Sequence, residues 1–246
     1  MKITNLQKGP FKAAALWIAF MVWFLPTLIS CSDSKEPAEE APLPADTESF
    51  TFFDIGRTTK FSEQIRDDLE EKLGRDAIER RSILNLEINY RGFLKKYFPQ
   101  LEELNRQLNF PPGERVEHNT VKLMYRYAQK QNVPFDYVEL IFSDYTKTPI
   151  IFKINFKKDE ANIVETLKKK YGNPDIIDWK ENNGQSMYWE KDADLLIVSL
   201  VPDQFGKHGY QIAIYYVDNL KQLIETERKE KEEKERQRAK TGENAF

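Results

Sequence analysis

Imidazole and thiol chemistry rest on three side chains in this 246-residue chain: His118, His208 and the lone Cys31. The histidines belong to no metal-ligand spacing such as HExxH, so no metal site is expected. His118 lies in Glu117-His118-Asn119-Thr120, where Asn119 or Thr120 can cap a following helix. It reads as a local hydrogen-bond partner rather than a general base. His208 sits in a glycine-flanked turn and reads as a surface residue. Serine hydrolysis wants a GxSxG elbow, and nucleotide binding wants a Walker loop or GxGxxG. None of these occurs, so no catalytic residue is assigned and no cofactor is expected. Acids are abundant, but a glycosidase-type pair is defined by its separation in space.

Two groups of residues are candidates for binding. Pro202 to Gly209 mixes polar groups, an aromatic ring and glycines, and its Asp203, Gln204, Phe205 and His208 form a candidate binding loop. Trp179, Tyr188 and Trp189 form a candidate aromatic edge, able to stack on a glycan or a peptide, although aromatics in strands more often belong to a core. The Lys168-Lys169-Lys170 run opposite an apolar helix face reads as the wet side of that helix.

The N-terminus carries an address. Lys2, Lys8 and Lys12 precede an apolar stretch from Ala13 to Leu25, and Pro26-Thr27 leads to Leu28-Ile29-Ser30-Cys31. Charged flank, apolar run and small residues follow the order of a secretory signal. Leu28 to Cys31 resembles the lipobox of bacterial lipoproteins. That resemblance implies cleavage before Cys31, acylation of Cys31 as the mature N-terminus, and a lipid anchor in the cell envelope. With Ser32 rather than an aspartate after the cysteine, it implies the periplasmic face of the outer membrane. An uncleaved N-terminal helix in the inner membrane is the alternative, since Phe11 to Ile29 approaches the ~20 residues needed to span a bilayer. Both arrangements export the remainder of the chain.

Composition narrows the function classes. Residues 1–30 hold three lysines and no acid, so the mature chain carries 34 basic and 40 acidic side chains, a formal charge of −6. That balance argues against a nucleic-acid binder. An exported chain whose only cysteine is acylated has no disulfide and is held by packing alone.

The elements that position these residues follow from pattern. Residues 31–49, rich in Pro, Ala and Glu, read as a disordered tether reaching roughly 50 Å if extended. Residues 50–115 read as mainly helical, opening with a strand-like Phe50 to Ile55. A helix carries Phe61, Ile65, Leu69 and Leu73 and stops at Gly74. Ser82 to Tyr90 fits strand and helix alike, and Phe93 to Leu108 is helical with a break at Pro99. Residues 116–218 read as an α+β domain. A helix is expected from Thr120 to Gln131. The hairpin Tyr137 to Phe142 with Ile150 to Phe156 comes next, then a helix from Asp159 to Gly172. Strands follow at 176–180, 186–190, 195–201 and 210–217. Residues 219–246 read as a solvated charged helix with i, i+4 pairs Glu225–Lys229, Glu227–Lys231, Glu230–Lys234 and Glu232–Arg236.

Shifting the chain by 98 residues superimposes Ile65 on Ile163, Leu69 on Leu167, Gly74 on Gly172 and Ile78 on Ile176. Amphipathic helices ending in glycine are common, so the match does not by itself establish a repeat. The expectation is an α+β fold, an antiparallel sheet with helices packed on one face, between a tether and a charged C-terminal helix. The expected role is a non-catalytic envelope component with a protein partner and a lipid anchor. A binding module for a small or polymeric ligand is the first alternative, and a carboxylate-dependent hydrolase the second. The stretch from Asp159 to Val217 faintly resembles small outer-membrane assembly lipoproteins.

Overall fold

A computed structural model describes residues 49–126, 133–156, 162–179, 184–202 and 208–243. Cys31 and the tether up to residue 48 lie outside the described residues. The elements are α1 (Glu63–Leu73), β1 (Ala77–Ser82), α2 (Phe93–Tyr97), α3 (Pro99–Leu108), β2 (His118–Arg126), β3 (Tyr137–Ser143) and β4 (Pro149–Phe156). After these come α4 (Ile163–Tyr171), β5 (Asp175–Trp179), β6 (Gly184–Lys191), β7 (Asp194–Pro202), β8 (His208–Tyr215) and α5 (Val217–Glu243). All eight strands form one antiparallel sheet in the order β1-β2-β3-β4-β8-β7-β6-β5. The fold is α+β, as the strand and helix patterns imply. Residues 50–115 share the sheet with the later residues, because β1 is hydrogen bonded to β2.

Helices cover both faces of the sheet rather than one. Val138, Leu140, Phe152, Ile154, Val198 and Ile214 pack on the first face, with Leu69 and Leu73 of α1 and Val164 of α4. Ile141, Ile151, Ile197 and Tyr215 point the other way, into a second core closed by α2, α3 and the first turns of α5. The sign of this was in the strands themselves. Ile150-Ile151-Phe152 and Leu195-Leu196-Ile197-Val198 are unbroken apolar runs, which only a strand buried on both faces needs.

Three local expectations change. Thr120 to Arg126, expected as helix, lies in β2. Val121, Leu123 and Tyr125 alternate into the first core while Thr120, Lys122 and Met124 face away, and ladders to β1 and β3 outweigh the helical spacing. Phe50 to Ile55 contains only a bridge between Phe52 and Ile55 around Phe53 and Asp54, both at positive φ. Residues 83–90 are neither helix nor strand. Leu84, Leu86 and Ile88 do alternate into the second core, but no neighbouring strand satisfies their backbone. Side chains do so instead: Leu86 N–H donates to Asn105 Oδ1 (2.9 Å), while Leu84 O accepts from Asn109 Nδ2 (3.1 Å) and Leu86 O from the Tyr215 hydroxyl (2.7 Å).

The sheet order exposes an internal repeat. Helix α1 followed by β1–β4 and helix α4 followed by β5–β8 are each a helix plus a four-stranded meander, and the two meanders meet at β4 and β8. Both helices lie on the first face and end on a glycine at positive φ and extended ψ, Gly74 at 93°/−173° and Gly172 at 85°/−170°. Both edge strands, β1 and β5, expose an isoleucine at the equivalent place, Ile78 and Ile176. The 98-residue match therefore coincides with a repeat of structure. Helices α2 and α3 are an insertion between β1 and β2, whereas β5 and β6 are joined by four residues.

Candidate functional site

The insertion helps build a cleft of 990 Å³ between residues 83–91, α3 and the second face of the sheet, with Gln211 of β8 on its lining. Asparagines dominate its construction. Asn105 of α3 and Asn109, which caps the C-terminal end of that helix, clamp the extended segment as described, and Asn109 Nδ2 also bonds Asn105 Oδ1 (3.2 Å). Asn89 has a left-handed backbone (φ 62°) and donates from Nδ2 to Ser186 Oγ (3.2 Å). Its Oδ1 is buried with no hydrogen-bond partner among the described residues, and the same holds for Glu102 Oε2. Glu87, also on the lining, is committed to the Gly92 amide (3.3 and 3.4 Å).

Beside the cleft the second face carries a charged stripe. Glu79 pairs with Lys122 across β1 and β2 (3.2 Å), and Glu139 stands opposite Lys153 across β3 and β4. The Tyr137 hydroxyl donates to Glu139 (2.6 Å), and burial together with that carboxylate pushes its ionisation upward. Lys153 Nζ donates to Asn85 O, on the cleft wall (2.8 Å). Burial holds the Lys153 ammonium below the ordinary lysine value, with Lys122 adding to the shift and Glu139 opposing it. Asn155, next on this face, leaves Oδ1 buried without a hydrogen-bond partner among the described residues. The arrangement offers acceptors, amides and a half-buried cation. Among the described residues that line the cleft there is no serine and no cysteine.

The residues singled out in the sequence are dispersed. Trp179 and Trp189 are 3% and 5% exposed and face opposite sides of the sheet, Trp179 in the second core and Trp189 in the first. Their indole N–H groups are satisfied by Ser186 Oγ (3.1 Å) and Gly172 O (2.8 Å). Tyr188 packs edge-on against Phe98. The three rings thus form no common platform. Asp203, Gln204 and Phe205 lie outside the described residues, as does the side chain of His208, whose backbone opens β8 opposite Pro202.

No family model, curated protein or solved structure matches this chain.

His118 is buried on β2 and does not bond locally. Its Nδ1 meets Glu227 Oε2 of α5 (2.7 Å), while Glu227 Oε1 accepts the Asn119 N–H (2.8 Å). Glu227 was expected to pair with Lys231. The fold diverts it to a partner more than a hundred residues away, while the expected Glu225–Lys229 and Glu230–Lys234 pairs form at 3.2 and 3.5 Å. Sequence reasoning missed Asn89, Glu102, Lys153 and Glu227. One signal was available for the cleft: Asn105, inside α3, is a poor helix residue unless its side chain bonds something outside the helix. Among the described residues, no helix is long and apolar enough to cross a membrane, and no three potential metal ligands converge.

Proposed function

We propose that this protein is a lipid-anchored, non-catalytic binding module of the bacterial cell envelope. Its cleft between residues 83–91 and α3 takes an extended, donor-rich segment of an envelope partner. The observation that carries this reading is the pair of buried acceptors lining that cleft, Asn89 Oδ1 and Glu102 Oε2, which find no donor among the described residues. A buried acceptor without a partner is costly, and a ligand that supplies N–H or O–H groups removes the cost. The volume falls in the range of ligand clefts, about 300–1,000 Å³. The lipobox-like Leu28 to Cys31 supports export and anchoring through Cys31, and the acidic balance supports a partner other than nucleic acid.

Both halves of the proposal are testable in cells. Incorporation of an alkyne-tagged palmitate should be lost in Cys31→Ala, and equal labelling of both proteins would remove the anchor. A photo-crosslinking residue in place of Ile83, on the cleft rim, should give one discrete adduct, diminished by Asn89→Ala or Glu102→Ala. The same probe at Glu235, on the exposed part of α5, should not give it. An adduct common to both probe sites, or one indifferent to the two substitutions, would refute the cleft as the binding surface.

A further inference from the structure

A second cavity, 450 Å³, lies between the C-terminal end of α3, residues 110–118 and α5. Leu108, Phe110, Val116 and Ile224 contribute its apolar lining, and Phe110 is 60% exposed. His118, only 3% exposed, also lines it. Its Nδ1 is taken by Glu227, but Nε2 is buried with no partner among the described residues. Both oxygens of Glu227 are engaged, by His118 and by the Asn119 amide. The other charged groups on the lining are all cations: Arg106, Arg228 and Lys231. Arg106 and Arg228 share their charge with Glu103, Glu225 and Glu232, none of which lines the cavity.

We propose that this cavity is a binding site for an amphipathic monocarboxylate, an aryl or short acyl acid. Its carboxylate meets His118 Nε2 and its apolar body lies against Phe110, Val116 and Ile224. The imidazolium form of His118 donates from Nδ1 to Glu227 and from Nε2 to the ligand, so each ring nitrogen has a carboxylate partner. A neutral or cationic amphiphile of the same shape gains the apolar contact but not the charge-assisted bond, and a cation is repelled by the three basic residues. The site shares Arg106 with the cleft of the preceding section, but His118 and Glu227 line only this cavity and Asn89 and Glu102 only that cleft, and neither proposal depends on the other.

The chain has only two histidines, so histidine-selective ¹⁵N labelling of the full-length protein in nanodiscs reads the site directly. Titration with 4-phenylbutyrate should shift one imidazole, that of His118, saturably, and His118→Gln, which removes that reporter, should weaken binding followed on the ligand's own resonances about tenfold or more. At equal concentration 4-phenylbutanol should bind at least several-fold more weakly and 4-phenylbutylammonium more weakly still. Lys231→Glu, at an exposed position that leaves the core untouched, should weaken 4-phenylbutyrate and not 4-phenylbutanol. It keeps the test valid if His118→Gln fails to fold. An unshifted His118, equal binding of acid and alcohol, or indifference to Lys231→Glu would each overturn the proposal.

Discussion

Asp194 is the residue at which the first described residues and the start of the last helix meet, and its removal is the sharpest test of the packing argument. It is fully buried at the start of β7. Its Oδ2 accepts from Arg57 Nε (2.8 Å) and from the Ser49 hydroxyl, and its Oδ1 accepts from Val217 N–H (3.0 Å), the first amide of α5. Arg57 also reaches Asp192 O (2.7 Å). One carboxylate therefore fastens the first described residues to the sheet and neutralises the N-terminal end of the last helix. Asp194→Ala leaves Arg57 without its carboxylate and a buried amide without an acceptor, a loss of about 3–5 kcal/mol for removing one partner of a buried pair. For a body of this size each kcal/mol moves the melting temperature by about 2–4 °C, so the midpoint should fall by roughly 6–20 °C. Urea unfolding of the full chain, followed by tryptophan emission, gives the free-energy change if the slope with denaturant is unaltered. The double-mutant cycle with Arg57→Met isolates the pair, with an expected coupling of at least about 1 kcal/mol. A cost below about 1 kcal/mol for Asp194→Ala, or zero coupling, would refute the assignment of Asp194 as the fastening point.

Three further outcomes are expected. Gly74→Ala and Gly172→Ala should each cost about 1–3 kcal/mol, because both glycines hold a conformation that side chains strongly disfavour. Similar losses at the two positions support the repeat, and a loss at only one speaks against it. Gly184→Ala should destabilise by about 1–3 kcal/mol through overpacking, since a Cβ there meets the Trp179 indole at 2.3 Å, and thermal melting monitored at the tryptophans reads the effect. Lys153 titrates below its ordinary value of 10.5 in the folded protein. In the window between its two values the unfolded chain binds the extra proton, so its contribution rises with pH and is fully present above 10.5. The stability of wild type relative to Lys153→Met should therefore increase as pH is raised toward that value, and a flat or falling difference in urea unfolding would contradict the burial argument.

Local pattern was enough for much of the fold and little of the site. Glycine stops at Gly74 and Gly172, the break at Pro99, and the alternation in β3, β4 and β8 each arise from short-range rules of backbone freedom and face burial, and the structure has those elements. Thr120 to Arg126 shows where such rules stop. Its apolar residues satisfy a helical spacing, yet two neighbouring strands supply a ladder that no local signal announces. Residues 83–90 make the same point differently, since their alternation is real but their backbone partners are the side chains of Asn105, Asn109 and Tyr215.

By itself the sequence determined the α+β class, the helix ends and the charged C-terminal helix, because each depends on residues near one another along the chain. Tertiary structure alone decided that the helices cover two faces, that two meanders join at β4 and β8, and that Trp179 and Trp189 are turned apart. It also decided that Glu227 meets His118 and that Asn89 and Glu102 line one cleft. These pairings join residues up to more than a hundred positions apart. Their energy lies in burial and hydrogen bonds that exist only once the sheet has closed, so no local spacing encodes them.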